Sequence, residues 1–239
     1  MAGEQDACAV EMQDYKKEFI KFAIDNQVLR FGRFTLKSGR ISPYFFNSGL
    51  FNTGAQLAKL SQFYARAIHD QTARLGLSFD TLFGPAYKGI PLVAGISMAL
   101  YQGYGQDYPY AFNRKEAKDH GEGGSLVGAE LKGRVLVVDD VISAGTSVRE
   151  SVKIIQDNHA EFAGVAIALD RKERGLGASS AIGEIEKEYG VSVLNIIDIQ
   201  DIIDFLDDTG QGDLVEKMLT YRQQYGVSGE DDVHSNIRI

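Results

Sequence analysis

Two adjacent carboxylates, Asp139 and Asp140, stand between four apolar residues, Val135 to Val138, and a run of small ones, Ser143, Ala144, Gly145, Thr146 and Ser147. Four apolar residues in a row read as a buried parallel strand. A strand that runs into small residues at a helix N-terminus makes a phosphate cradle. Its unpaired amides point outward, the helix dipole favours an anion, and no bulky side chain holds the ligand off the backbone. Neither the Walker-type nor the dinucleotide glycine pattern is present. Carboxylates beside a phosphate repel it unless they bind another part of the ligand. A ribose diol donates hydrogen bonds and a carboxylate only accepts them. The segment therefore suits a ribose 5-phosphate, with the phosphate on the amides of the small-residue loop 143–147 and the diol on the two acids. The plain alternative is a strand end whose Asp caps the next helix.

Other stretches carry charge or glycine at suggestive places. Gly84-Pro85-Ala86-Tyr87-Lys88-Gly89 follows a short apolar strand and precedes a helix. It is either an ordinary strand-to-helix turn or one that brings amides and the Lys88 charge to a pyrophosphate. Residues 113–124 hold Arg114, Lys115, Lys118 and His120, have no hydrophobic period and end in glycines. That combination predicts a long loop, either a solvated one or a lid that closes cations over an anionic leaving group. Lys37 sits in a turn before Phe45-Phe46; the two rings supply core or a flat slot for a planar ligand. Arg171, at a strand end, pairs with a surface acid or with a substrate carboxylate. His69, His159 and His234 have no metal-like spacing and read as surface residues.

The elements that must position these groups follow from periodicity. A helix starts at Asp14. Short strands are predicted at Phe34–Leu36 and Tyr44–Asn47, with Lys37–Arg40 as the turn, and Thr53-Gly54 opens a long helix. Strand and helix then alternate from Thr81 to Ile197, which predicts an α/β fold with a central, mostly parallel sheet covered by helices on both faces. Residues 199–206 and 214–225 read as closing helices. Ligands in such sheets bind beyond the carboxyl ends of the strands, where Gly84–Gly89, Asp139-Asp140 and Asp170-Arg171 all fall.

The chain has 239 residues, 44% of them hydrophobic and 24% charged, enough for one domain with a real core. Its net charge of -8 argues against a general nucleic-acid binder. Cys8 is the single cysteine, which excludes an intrachain disulfide and a Cys-rich zinc site and fits a reducing cytoplasm. No apolar run reaches the ~18 residues of a membrane span, and no secretory signal is expected. One domain is expected over 12–227, with a small hood mainly from 12–50. Residues 1–11 and 228–239 are expected to be disordered.

Taken together, Phe34–Arg40, Ser42–Asn47, Gly49–Gly54, Gly84–Pro91, Phe112–Gly124 and Val138–Thr146 resemble, in order, the orotate phosphoribosyltransferase family, the pyrimidine-pathway branch of the type I phosphoribosyltransferases. The loop at 139–147 is common to the wider class; the Lys37 turn, the Phe45-Phe46 strand and the 113–124 segment are specific to the orotate branch. The resemblance implies transfer of ribose 5-phosphate from phosphoribosyl pyrophosphate (PRPP) to orotate, with magnesium carried mainly by PRPP and no protein metal ligand. It implies a type I phosphoribosyltransferase fold with a hood and a mobile catalytic loop, and a cytoplasmic homodimer whose lid residues Lys115 and Lys118 serve the neighbouring site. By resemblance, Asp139 and Asp140 hold the ribose, residues 143–147 the 5-phosphate, and Tyr87 and Lys88 the pyrophosphate, with Val141 and Ile142 also counted among the PRPP-binding residues. Arg114, Lys115, Lys118 and His120 match lid donors that touch PRPP and take part in catalysis. Phe45, Phe46, Ser143 and Arg171 match the orotate site, and Lys37 touches both substrates. Ser143 stands where the family commonly has threonine; the hydroxyl is kept.

Two alternatives remain at this point: a phosphoribosyltransferase for another base, or a PRPP-binding regulator. The Lys37 turn, the Phe45-Phe46 strand and the lid segment disfavour the first, and the low basicity disfavours the second. Length leaves no room for a fused decarboxylase domain after the closing helices.

Overall fold

The computed structural model describes residues 12–36, 38–118, 124–175, 177 and 179–227, without the side chains of 117, 118 and 124. Lys37, His120 and both terminal segments lie outside the described residues. In chain order the elements are α1 (Asp14–Asp25), β1 (Leu29–Thr35), β2 (Ile41–Phe46), a 3-10 turn (Ser48–Leu50), α2 (Gly54–Leu75), β3 (Thr81–Gly84), α3 (Gly89–Tyr104) and β4 (Tyr110–Lys118). There follow β5 (Gly124–Gly128), β6 (Arg134–Val138), α4 (Thr146–Asp157), β7 (Glu161–Asp170), α5 (Ala181–Tyr189), β8 (Ser192–Asp198), α6 (Ile199–Asp208) and α7 (Gly212–Tyr225).

Six strands form one sheet in the order β5-β4-β3-β6-β7-β8. All neighbours are parallel except β5, which runs antiparallel to β4 at the edge. The pleat explains why Val135 to Val138 of β6 form an unbroken apolar run. Val135 and Val137 enter a core with Val148, Val152 and Ile155 of α4 and Ile182 and Ile185 of α5. Leu136 and Val138 enter the opposite core, with residues of α1, α2, α3 and α6. Successive side chains point to opposite faces, and both faces are covered by helices. Each such fully buried aliphatic side chain stabilises the fold by about 1.5–3 kcal/mol.

Local signals set the ends of α2. Thr53 accepts a hydrogen bond from the Gln56 amide at 3.3 Å, and the Gln56 side chain accepts from the Thr53 amide at 3.0 Å, a reciprocal cap. At the other end Gly76 takes the left-handed conformation at φ +62°. The apolar stripe of α2, including Leu60, Phe63, Tyr64, Ala67 and Ile68, lies in the larger core.

β1 and β2 form a separate antiparallel hairpin, packed against α1 and α7. β1 begins at Leu29, five residues before the predicted Phe34. A bulge between Phe31 and Phe34, with Gly32 at φ +156°, breaks the period-two pattern and hid the first half of the strand. A second correction concerns the predicted loop at 113–124. Its described part is strand: β4 continues to Lys118 and β5 starts at Gly124. The pair sits at the sheet edge, with Ala111, Phe112 and Leu126 packed on the cores at one end and a register irregularity between Asn113 and Lys118 at the other, where the polar residues left no apolar period to read.

Candidate active site

α3 leaves β3 toward one core and α4 leaves β6 toward the other, so the crevice between the carboxyl ends of β3 and β6 is a topological switch point. Such crevices are where open α/β sheets bind ligands. On the β3 side the chain turns sharply through Pro85 to Lys88. A Cβ on Gly84 would overlap the Gly89 carbonyl oxygen, and one on Gly89 would stand 2.6 Å from the Gly84 carbonyl carbon. Only glycine at both ends allows this closure. The Ala86–Tyr87 peptide is cis. The Ala86 amide donates to Asn113 Oδ1 at 2.7 Å, tying the turn to β4. Tyr87 is exposed, and the Lys115 ammonium lies 5.6 Å from its ring centre.

On the β6 side both carboxylates are buried, each with 8% of the residue exposed, yet their environments differ. Asp139 accepts from the Asp140 amide at 2.8 Å and from Ser147 Oγ at 2.9 Å, while its carbonyl accepts from the Tyr64 hydroxyl at 2.7 Å. Burial, with some repulsion from Asp140, raises its pKa to about 6. Asp140 accepts from the Val141 amide at 2.9 Å, and its other oxygen accepts from Ser48 Oγ and Lys88 Nζ, each at 2.5 Å. Burial opposes its ionisation, but the bonds from Lys88 and Ser48 and the Lys88 charge outweigh it, so its pKa lies below the ordinary value. The pair thus holds one firmly ionised acid and one that titrates near neutrality.

After the acids, Val141 packs on one core and Ile142 on the other, which plugs the loop into both layers. Ser143, Ala144, Thr146 and Ser147 are exposed. Gly145 caps α4 at φ +72°. The loop therefore presents short side chains and first-turn amides to the crevice, as a phosphate cradle requires.

A second group lies where β7 ends against the hairpin. Arg171 donates through Nε to Glu173 Oε1 at 2.8 Å and through Nη2 to Ser42 Oγ at 3.3 Å. Its guanidinium carbon is 4.3 Å from the centre of the buried Tyr44 ring. The expected surface salt bridge is present in kind but not in place, since the Arg171 side chain is only 19% exposed. Phe45 and Phe46 do not share one slot. The pleat turns Phe46 toward Phe19, 6.5 Å between centres, and Phe45 to the other face, where it stacks on Phe34 at 5.5 Å. His69, expected at the surface, is half-buried, stacked on Tyr104 at 4.0 Å with a buried Nδ1.

The fold therefore brings Lys88, Asp139, Asp140 and 141–147 together, with Tyr87 at the rim, and separately joins Arg171 to the strand of Phe45 and Phe46. Arg114 and Lys115 lie on β4, and Lys118 ends it. Sequence reasoning missed Ser48, Asn113, Tyr64 and Glu173. Ser48 bonds Asp140 across 92 positions and Tyr64 supports Asp139 across 75, separations that no local pattern reveals. Among the described residues no group of three metal-binding side chains lies together, and no helix is long and apolar enough to cross a membrane.

Comparison with known proteins agrees with this geometry. Residues 51–189 match the phosphoribosyl transferase domain. The orotate phosphoribosyltransferase of Thioalkalivibrio sulfidiphilus is 60% identical over 217 residues, covering 90% of this chain and all of that protein. Its counterpart in Actinobacillus pleuropneumoniae is 58% identical over the same length, with the same coverage. Among solved structures, the orotate phosphoribosyltransferase of Francisella tularensis superposes with a TM-score of 0.79 at 46% identity, over 87% of this chain and 99% of that one. With relatives of this identity over nearly the whole chain, the protein belongs to the orotate phosphoribosyltransferase family.

Proposed function

We propose that the protein transfers ribose 5-phosphate from PRPP to orotate, giving orotidine 5′-phosphate and pyrophosphate in pyrimidine synthesis. The observation that carries this reading is the meeting of Lys88, Asp140 and Ser48, which joins the turns after β3, β6 and β2 at one end of the sheet. The 5-phosphate sits on the amides of 141–147, and the ribose hydroxyls donate to Asp139 and Asp140. Lys88 leaves Asp140 in part to meet the pyrophosphate. The orotate carboxylate meets Arg171, and the ring lies against the β2 backbone at Phe45-Phe46.

The ring nitrogen of orotate attacks C1′ of the ribose, and the bond to pyrophosphate breaks with its electron pair on the leaving oxygen. The ring nitrogen's proton passes to water or to an oxygen of the departing pyrophosphate, so no strong protein base is needed. Catalysis is positioning and charge neutralisation. Arg114, Lys115, Lys118 and His120 supply positive donors to the leaving group. Magnesium, carried by the PRPP oxygens, would offset their charge. It needs few protein ligands, and both acids are already engaged, Asp140 with Lys88 and Ser48, Asp139 with Ser147.

A homodimer belongs to the same proposal. The outer face of α3 exposes Pro91, Met98 and Tyr101, beside exposed Tyr87 and Tyr110. A second copy on this stripe brings its β4–β5 edge toward the neighbouring crevice. Sedimentation of Met98→Asp should give monomers, and an unchanged dimer places the contact elsewhere. A cytoplasmic location is proposed from the lone cysteine.

The direct test follows orotate absorbance on adding protein, PRPP and magnesium. PRPP-dependent loss of orotate with orotidylate formed is the expected result. Turnover of another base in its place, or PRPP binding with no turnover, overturns the reading.

A further inference from the structure

Arginine can offer a carboxylate two edges, and a site that must recognise one carboxylate has to decide which edge faces it. Around Arg171 that decision is visible. Glu173 Oε1 lies 2.8 Å from Arg171 Nε and 2.6 Å from its Nη2, so one carboxylate oxygen takes the whole Nε/Nη2 edge. Tyr44 fixes the plane of the guanidinium from below at 4.3 Å. Glu173 is itself held from two sides: the Tyr221 hydroxyl donates to Oε1 at 3.0 Å, and Arg40 Nη1 stands 3.4 Å from Oε2.

The backbone around Glu173 is stitched to the C-terminal end of α7. The Arg174 amide donates to the Tyr225 carbonyl at 2.9 Å and the Val227 amide to the Lys172 carbonyl at 3.1 Å. Arg40 also donates to the Arg174 carbonyl at 2.8 Å, tying the turn after β1 to the same segment. The charges balance for a single anion: Arg171, Arg40 and Glu173 sum to +1, and one substrate carboxylate brings the cluster to zero. An Arg171–Glu173 pair without Arg40 would already be neutral and would attract a carboxylate less.

We propose that Glu173 is a positioning residue for substrate recognition: held by Tyr221 of α7 and by Arg40, it occupies the Nε/Nη2 edge of Arg171 and turns the Nη1 end toward the orotate carboxylate. The inference rests on the proposed role of Arg171 and deepens it. It makes α7, remote in sequence from every binding loop, part of the base-recognition apparatus. Glu173 orients Arg171 and does not itself touch the substrate.

The experiment is steady-state kinetics of the full chain, varying orotate and PRPP separately. In Glu173→Ala the freed guanidinium loses its orientation, and KM for orotate should rise about tenfold or more, as for loss of a charged hydrogen bond, while KM for PRPP stays within about twofold. Glu173→Gln keeps an acceptor oxygen in place and should recover most of the orotate affinity. A KM for orotate that is unchanged overturns the proposal, as does one that falls because a competing carboxylate has gone, or KM values that move together. If Glu173→Ala does not fold, Tyr221→Phe removes only the hydroxyl on Glu173 and should raise KM for orotate alone by about threefold; no change there is equally fatal. Wild-type protein run in parallel separates the two levels. Normal orotate turnover with an indifferent Glu173 sinks this inference alone, whereas a wild type that ignores orotate sinks the reading of function and this inference with it.

Discussion

On the proposed phosphate side, Asp139, Asp140 and residues 141–147 reach the crevice from one unbroken stretch of chain. On the proposed base side, Arg171, Ser42, Glu173 and Tyr221 come within hydrogen-bond range only because a hairpin, the end of β7 and a C-terminal helix pack together, with Ser42 and Arg171 separated by 129 positions. The difference follows the ligand chemistry. A phosphate is held by several backbone amides pointing one way, which a strand-to-helix turn supplies by itself. A planar base with one carboxylate has to be met at several points in fixed directions, which needs side chains from independent elements. Damage on the phosphate side should therefore act through local chemistry, and damage on the base side through the orientation of packed elements.

The largest expected effect tests the proposed leaving-group donors. Lys118→Ala should lower kcat by roughly 10²–10³-fold, the size of losing one transition-state donor. A loss under about fivefold rules that role out. If the donor acts across a dimer, mixing inactive Lys118→Ala and Asp140→Asn proteins restores activity; verified subunit exchange without recovery puts the lid in its own chain.

Next in size, Arg171→Lys on the base side should raise KM for orotate by about 10–100-fold with KM for PRPP unchanged, because an ammonium cannot reproduce the planar fork. Equal shifts in both constants would erase the division between the two sides.

A smaller effect separates the two acids. Burial holds the Asp139 pKa near 6, so kcat/KM for PRPP should fall several-fold as pH drops through about 6 and the carboxylate gains a proton. The step should vanish in Asp139→Asn; its persistence there assigns the titration to PRPP or another group. The same shift affects stability. The native state holds this proton more tightly than the unfolded chain, so the group's contribution to stability falls as pH rises from 3.8 to about 6 and is flat above.

The smallest effect is structural. Tyr64→Phe removes the hydroxyl on the Asp139 carbonyl and should cost about 1–3 kcal/mol in denaturant unfolding while leaving KM for orotate alone. An orotate-specific change would show that the two sides are coupled through α2.

Much of the fold was legible because local rules and tertiary demand agree. The Thr53 cap, the glycine after α2 and the four-residue apolar β6 each announce their element. Where they conflict, reading failed. The bulge at Gly32 concealed half of β1, and the far end of the edge pair β4–β5 looked like a loop because its residues 113–118 have no apolar period and pair through the backbone. Phe45-Phe46 looked like one aromatic surface, but period two sends adjacent rings to opposite faces.

What the sequence determined by itself is what lives in contiguous residues: the two acids with the small-residue loop that follows them, the glycine-bounded turn at 84–89, and the α/β alternation that sends both to one end of a mostly parallel sheet. Only the tertiary structure decided which acid is held ionised, because Lys88 and Ser48 reach Asp140 from 52 and 92 positions away and leave Asp139 to burial. It also decided that Glu173 holds Arg171, through a helix near the end of the chain. Contacts of that range are fixed by how layers pack, and packing leaves no trace in the spacing of neighbouring residues.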